Sequence, residues 1–396
     1  MGRFDLLYLR IDKQRTEMNI IKSEVSRPRI LYLAPLPPPI HGSAMVSEQI
    51  RNSKVVHEAF DGDFVNLSTS RKMCEIGKGG LWLTLQKTIR FLVSFLKTLG
   101  LLLTHRYDLC YCAITCHGSG FLKDAPFVLL CKLFRRKILI HQHNRGMAKD
   151  VDRPIYRWLL PLVYKNTKVI LLSWYLYPDI ERVVKRENII VCPNGIKPIP
   201  YDECKRTANN IPHILFLSNL MIDKGVYVLL DALKIISNRG ISFVCDFVGS
   251  ETKELNAERF IQEVEARNLS HCVRYNGPKY GEAKQKSFLQ ADIFAFPTFC
   301  DTFGLVNLEA MNYQLPIVTT NFGGIPDEII NGENGFVVEP EDAQATADAL
   351  CQLLEDASLR QRMGRAGYKK FMEEFTEEIF ERNIVVSFKR AMEETT

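Results

Sequence analysis

The 396-residue sequence lacks most of the features that would set it outside the ordinary globular class. No run of 18 apolar residues is free of charge or proline, so nothing predicts a membrane-spanning helix. The first 28 residues interleave Asp5, Arg10, Asp12, Lys13 and Arg15 with apolar positions, which is not the h-region of a signal peptide. Charge is nearly balanced. The 51 Lys and Arg exceed the 46 Asp and Glu by 5, too little to mark a nucleic-acid-binding protein. There is no repeat of solenoid period and no low-complexity tract. The 11 cysteines are scattered and odd in number, and without an export signal they read as reduced thiols of a cytosolic protein. Their tightest group, Cys110, Cys112 and Cys116 followed by His117, sits on an apolar run that reads as a core strand. It has no second Cys pair downstream, so no metal is expected there.

What is present points to a packed α/β protein. Apolar residues make up 46% of the chain and charged ones 24%, enough for a sizeable core, and the length suits two domains. Short apolar runs alternate with longer amphipathic ones. Strands are expected at Arg29–Pro35, Asp63–Leu67, Asp108–Thr115, Lys137–His143, Lys168–Ser173 and Ile189–Pro193. A second set is expected at His213–Leu220, Ser242–Gly249, Val273–Gly277, Ile293–Pro297, Pro316–Thr320 and Gly335–Val338. Between them, Gly225–Asn238, Ala257–Asn268 and Ala343–Leu354 have helical periodicity. Strands apolar on both faces, alternating with helices, predict parallel sheets covered on both sides. Pro198, Pro200, Asn209, Asn210 and Pro212 interrupt the pattern and place a domain break at Lys197–Pro212. Two doubly wound domains facing each other would form a cleft lined by the loops that follow strands.

The most informative segment runs from Phe296 to Pro340. It contains Asp301-Thr302-Phe303-Gly304-Leu305, then Glu309-Ala310-Met311 and Phe322-Gly323-Gly324-Ile325-Pro326-Asp327. A helix is expected to begin near Phe303, and its first amides carry the positive end of the helix dipole, which suits a phosphate. Gly304 would let a ligand approach the backbone. Asp301 and Glu309 are eight residues apart, one before the helix and one about two turns in, and could hold hydroxyls of one ligand at two points. Singly, Asp301 also reads as a helix N-cap and Glu309 as an exposed helix charge.

This segment resembles the acidic-x7-Glu signature of glycosyltransferase family 4, the group 1 glycosyl transferases. These are retaining, nucleotide-sugar-dependent enzymes of the two-domain GT-B architecture. Further resemblances are Arg29–Pro35 with His41-Gly42-Ser43-Ala44, Val191-Cys192-Pro193-Asn194-Gly195-Ile196, Leu217-Ser218-Asn219-Leu220 with Lys224-Gly225, and a terminal helix at Phe375–Glu394. The resemblance implies an N-terminal extension over residues 1–27 and an N-terminal Rossmann-like acceptor domain over 28–204. It then implies a nucleotide-sugar-binding Rossmann-like domain over 205–374 and a helix over 375–396 that crosses back to the first domain. Met18 is an alternative start.

Carried over position by position, the resemblance assigns Glu309 to the ribose hydroxyls. It assigns Asp301, shorter by one methylene than the family's glutamate, to the transferred sugar. The amides of Phe303, Gly304 and Leu305 would face the donor's sugar and phosphates, and Lys224 would neutralise the diphosphate with help from Gly42 across the cleft. Asn219 stands where the family commonly has arginine. The family also places a histidine near the reacting sugar. His141 and His143 of His141-Gln142-His143-Asn144-Arg145 share one side of their strand, and His143, nearer its carboxyl end, is the first candidate. Arg145 could bind an acceptor phosphate or a neighbouring carboxylate.

The leucine-rich stretch Leu81–Arg106, broken by Lys87, Arg90, Lys97, His105 and Arg106, reads either as a helix packed on the sheet or as a basic amphipathic surface resting on anionic lipid. The expectation is a retaining glycosyltransferase of hexosyltransferase type, without cofactor or metal. It would take a nucleotide-sugar donor and a glycan or lipid-linked acceptor, in cell-surface polysaccharide synthesis. It would lie in the cytoplasm, in peripheral contact with the membrane. A nucleotide-sugar epimerase and a catalytically silent sugar-nucleotide-binding subunit are the alternatives.

Overall fold

The computed structural model describes residues 27–39, 41–71, 75, 80–200 and 209–393. All but the last residue of the expected N-terminal extension, Met18 included, lies outside the described residues, as does 201–208 within the domain break. Each of the twelve expected strands forms. The first six are β1 (Arg29–Ala34), β2 (Asp61–Asn66), β3 (Leu109–Ile114), β4 (Ile138–Gln142), β5 (Lys168–Leu171) and β6 (Ile189–Val191). The second six are β7 (His213–Leu217), β8 (Val244–Val248), β9 (Val273–Tyr275), β10 (Ile293–Phe296), β11 (Ile317–Thr320) and β12 (Gly335–Val338). Their interiors are buried on both faces, as in Leu109–Ile114 and Ile138–Gln142, because helices cover both sides of each sheet. β8 begins two residues later than expected, at Val244, and β2 two residues earlier. β2 pairs with β1 from Arg29↔Asp61, two residues before its apolar run, because an edge strand gives solvent-facing Asp61 and Gly62 no apolar signal.

The strands form two parallel six-stranded sheets, in the orders β2-β1-β3-β4-β5-β6 and β12-β11-β10-β7-β8-β9. Both are doubly wound. Chain order reverses between β1 and β3 in the first sheet and between β7 and β10 in the second, and at such points the loops part and leave a crevice. Two Rossmann-like sheets therefore face each other, as expected, across one cleft.

The last helix, Glu377–Met392, belongs structurally to the first sheet. Thr376 caps its start, and Phe380, Ile384, Phe388 and Ala391 enter the core beneath β1, β3 and β4. The chain returns there through a short parallel pairing of Ile196 with Thr376, with Ile196 N–H donating to Phe375 O and Glu377 N–H to Ile196 O. Gly195 is needed at that junction, since a Cβ would collide with the Thr376 carbonyl. Phe388 meets the rings of Tyr32, Phe60 and Tyr111 at centroid distances of 6.0, 5.6 and 5.3 Å. Phe388→Ala should therefore cost about 3–5 kcal/mol by cavity formation and lower the midpoint of thermal unfolding. An unchanged midpoint would mean that the terminal helix does not stabilise the first domain.

Candidate active site

The two topological breaks and the intervening cleft enclose a cavity of about 1170 Å³. The second sheet contributes Ser218, Lys224, Asp301, Thr302, Phe303, Leu305 and Val306, and the first contributes His41, Gly42, Lys123, Asp124, His143 and Asn144. Loop chemistry explains why these groups converge. After β7 the chain makes a helical turn, Ile222–Lys224, and then Gly225 at φ 83° enters the Val226–Asn238 helix. A Cβ at Gly225 would collide with the Pro297 carbonyl, so glycine lets the β7 loop lie directly on the end of β10. The two loops are then laced together. Phe299 N–H and Thr298 Oγ1 both donate to Asp223 O, at 2.9 and 3.2 Å. Lys224 Nζ donates to Cys300 O at 2.6 Å and to Asp301 Oδ2 at 3.0 Å.

Lys224 and Asp301 are thus brought together as an ion pair, each about one-fifth exposed. Asp301 also accepts from the Thr302 amide through Oδ1 at 2.8 Å. Its carboxylate therefore folds onto its own loop and the lysine, and does not cap a helix. Glu309 is likewise occupied, by Lys284 Nζ at 2.6 Å, and stands outside the residues that line the cavity. Each carboxylate matched to donor hydroxyls is thus held by a lysine, and a ligand must exchange with that lysine or share it.

The helix near Phe303 begins two residues later than expected, as Leu305–Asn312 with Gly304 at its cap position. The three amides matched to the donor are not equivalent. Gly304 N–H donates to Glu328 Oε1 at 2.6 Å, and Leu305 N–H closes a tight turn on Phe303 O at 3.0 Å. The amides of Phe303 and Val306 make no hydrogen bond among the described residues and remain for a ligand. Asn219 is exposed and holds the loop after β8, its Oδ1 accepting from Ser250 N–H at 3.4 Å, so its neighbour Ser218 reaches the cavity instead. Gly42 starts the Gly42–Asn52 helix, where an added Cβ would stand 3.6 Å from Leu305 of the other domain.

On the first domain's wall the two histidines part in role. His141 is fully buried, its Nδ1 2.7 Å from Tyr111 OH, and its ring lies 3.9 Å from that of His143. His143 reaches the cavity but keeps its Nε2 buried without a partner. Burial, reinforced by His41, pushes its pKa down to about 3, so it is neutral at physiological pH. Among the described residues Arg145 meets no carboxylate, and it does not line the cavity. Its guanidinium stacks over Phe322 of the other domain, 4.5 Å from the ring centroid, and braces the cleft.

The cavity also holds groups that sequence reasoning passed over. His41 caps its helix, with Nδ1 3.4 Å from Ala44 N, beside Gly42. Lys123 pairs with Asp124 Oδ1 at 3.0 Å, and Asp124 Oδ2 accepts from Thr115 N–H at 3.0 Å. The consequential omission is Glu328, the residue directly after the Phe322–Asp327 segment and wholly buried. Its Oε2 accepts from Asn307 Nδ2 at 2.8 Å, so it ties down the first turn of the Leu305–Asn312 helix. Burial, with Asp301 and Asp327 near, raises its pKa to about 8. Its position after Ile325-Pro326 in a helical pattern gave no hint of a partner more than 20 residues earlier.

Among the described residues no group of three or more His, Cys, Asp or Glu side chains is arranged to hold a metal ion. Cys110 and Cys112 are packed inside β3, and Cys116 Sγ lies 3.2 Å from Asn144 O. The chain's two Asp-x-Asp triplets are used otherwise. Asp61 and Asp63 pair with Arg27 and Arg29, while Asp150 pairs with Arg153 and Asp152 with Arg182.

Residues 203–370 match the family model described as glycosyl transferases group 1. The capsular polysaccharide biosynthesis glycosyltransferase CapM of Staphylococcus aureus is 31% identical over 164 residues, 41% of this chain and 42% of that protein. A D-inositol 3-phosphate glycosyltransferase of Corynebacterium diphtheriae is 33% identical over 156 residues, 38% of this chain and 36% of that protein. The chain thus spans about two fifths of the length of these curated relatives. Among solved structures, a glycosyltransferase from Rickettsia africae superposes with a TM-score of 0.72 at 16% identity, over 93% of this chain and all of that one. Anabaena HepE, solved with UDP, gives 0.71 at 17% identity, over 92% of this chain and all of that one. At such identities the likeness is one of fold. The chain therefore has the two-domain fold of solved glycosyltransferases over most of its length, and its C-terminal domain matches the glycosyl transferases group 1.

Proposed function

We propose that the protein is a retaining glycosyltransferase of family 4. It moves a hexose from a nucleoside diphosphate sugar to a glycan or lipid-linked acceptor, in the synthesis of a cell-surface polysaccharide. One observation carries this reading. At the break between β7 and β10, Lys224, Asp301 and the unpaired amides of Phe303 and Val306 converge on the side of a large cleft opposite His143. A cation and two free amides beside a helix start suit the diphosphate, and the facing wall leaves room for an acceptor. Likeness to CapM and to HepE with UDP supports the same assignment.

The chemistry follows from charge. As the sugar–phosphate bond breaks, positive charge grows on the anomeric carbon and negative charge on the departing diphosphate, which Lys224 and the amides stabilise. The two carboxylates lining the cavity among the described residues, Asp124 and Asp301, each face a lysine. In this mechanism the departing phosphate oxygen takes the proton of the acceptor hydroxyl as that hydroxyl bonds to the same face of the anomeric carbon, which retains its configuration. Lysine and amides supply the charge that a metal would otherwise provide. His143, neutral, is suited to accept or donate one hydrogen bond with a sugar hydroxyl.

The reading is tested by incubating the protein with a panel of nucleotide sugars, with and without membrane extract. Nucleotide released only with acceptor supports transfer. An isomerised sugar without acceptor would make the protein an epimerase, and tight binding without turnover a silent subunit. Glu309→Ala should weaken nucleotide binding roughly 30- to 150-fold, the equivalent of about 2–3 kcal/mol for a carboxylate holding two ribose hydroxyls. Lys224→Ala should lower kcat more than it raises KM, because its charge is needed most as the diphosphate departs. Calorimetry showing unchanged nucleotide affinity in folded Glu309→Ala would remove the ribose assignment.

The membrane part of the proposal takes a different form from the sequence expectation. In the Leu81–Thr104 helix, half-buried Lys87 and Arg90 and exposed Lys97 fold back onto the chain, donating to the carbonyls of Glu75, Thr69 and Phe64. Outward it shows an apolar stripe of Leu81, Leu85, Ile89, Leu92 and Leu96, with Trp82 71% exposed. Phe91 and Phe95 pack it on Phe127 of the Gly118–Leu133 helix, whose Phe121 packs in turn on Tyr156 of the Pro154–Tyr164 helix. That third helix exposes Ile155, Leu162 and Trp158, the last by 82%, beside exposed Arg153 and Arg157. Neither outer helix contains an acidic residue. An apolar face with aromatic and basic margins suits peripheral attachment to anionic lipid. No helix among the described residues is long and apolar enough to cross a membrane. Leu85→Glu with Leu92→Glu and Leu96→Glu should abolish cosedimentation with phosphatidylglycerol vesicles, since each buried leucine contributes about 1.5–3 kcal/mol. Equal sedimentation of the folded variant and wild type would remove this face from the proposal.

A further inference from the structure

We propose that Glu328 is a positioning residue for the donor loop, and that the loop accepts an anionic nucleotide when this buried carboxyl carries its proton. The inference rests on the donor-site reading above. Glu328 ends a short helical turn, Ile325–Glu328, and has no exposed surface. Its two oxygens take Gly304 N–H at 2.6 Å and Asn307 Nδ2 at 2.8 Å. One carboxyl group therefore fixes both the cap and the first turn of the helix whose remaining amides face the cavity. The fit is close, since a Cβ on Gly304 would come within 2.7 Å of Glu328 Oε2. Gly323 and Gly324 hold the other side of the same loop, with Gly324 N–H donating to Thr302 O at 2.9 Å.

An ionised Glu328 would place a negative charge at the helix start, where the diphosphate must bring more. The charged groups that face it are Asp301 and Asp327, both acidic, and the nearby cation Lys224 is engaged by Asp301. Among the described residues no cation is bonded to Glu328. Burial and these two carboxylates oppose its ionisation, outweighing the bonds from Gly304 and Asn307, and its pKa stands at about 8. The pocket is furnished for the neutral form as well. Asn307 Oδ1 is buried without a partner, so when the amide turns over it can accept the proton of a neutral Glu328. Loss of that proton above pH 8 sets a third acidic charge beside the phosphates, and nucleotide binding then has to draw the proton back.

The test is calorimetric titration of UDP into the full-length protein from about pH 7 to about pH 9.5, in buffers of different ionisation enthalpy. Wild-type affinity should fall by up to about tenfold per pH unit above about pH 8, with uptake of up to one proton on binding. Glu328→Gln is neutral at every pH, and its amide can still accept from Gly304 and donate to Asn307. It should bind with one affinity across the range and take up no proton through this group. A purely structural role would move the thermal midpoint and leave the proton count unchanged. If Glu328→Gln fails to fold, the proton uptake of wild type decides. Equal pH dependence in the two proteins, or wild-type binding above pH 8 without proton uptake, overturns the inference and leaves the donor site standing. Folded wild type that binds none of UDP, GDP, ADP or dTDP overturns the donor-site reading and the inference with it.

Discussion

Parallel winding of both sheets is the constraint from which the site follows. When every strand runs the same way, every loop after a strand emerges at one edge, and where chain order reverses two such loops part without a crossover between them. In the second sheet that place is between β7 and β10, which pair directly through Ile293↔Ile214 and Phe294↔Leu215. It puts the Lys224 turn and the Asp301 loop side by side, though 77 residues separate them in sequence. Gly225 allows the close approach, and the Lys224–Asp301 pair is its result. The first sheet faces this edge with its own break, between β1 and β3, so Gly42 and Leu305 meet across the cleft.

Charge within the site is arranged as exchange. Lys224 with Asp301, Lys284 with Glu309 and Lys123 with Asp124 are all partly buried pairs. Each keeps a carboxylate satisfied in a place where an isolated charge would be costly. In the proposed reaction the donor's phosphates take over part of the lysine's attention and its hydroxyls part of the carboxylate's, so little charge is left unpaired at any stage. Glu328 is the exception. Among the described residues it has no cation, and it is held by one backbone amide and one side-chain amide.

The fold was legible because its signal is repetitive. Strands buried on both faces read as continuous apolar runs, and their alternation with helical segments left one architecture. The errors fall where pairing decides what a residue does. β2 begins in exposed, uninformative residues, and the expected strand ends ran past the last sheet bonds into the loops, as at Lys137–His143. Sequence left the Leu81–Arg106 stretch open between a packed helix and a basic surface, because it does not show that long basic side chains such as Lys87, Arg90 and Lys97 turn back to cap carbonyls. Asn219 occupied the expected place in the chain but turns toward the loop after β8. Lys224 and Asp301, which pair and line the cavity, were singled out because local motifs mark them. Glu328 was missed because its partners, Gly304 and Asn307, are near only after the chain has crossed from β10 to β11 and back.

In the proposed reaction the edge between β7 and β10 binds the diphosphate of a sugar nucleotide. A crystal structure of the protein with UDP tests it most directly. The β-phosphate should lie within hydrogen-bond distance of Lys224 Nζ and of the Phe303 or Val306 amide, with the ribose at Glu309 and the Lys224–Asp301 pair lengthened or shared. UDP bound elsewhere, or bound in the cleft with its phosphates away from Lys224 and both amides, would contradict it.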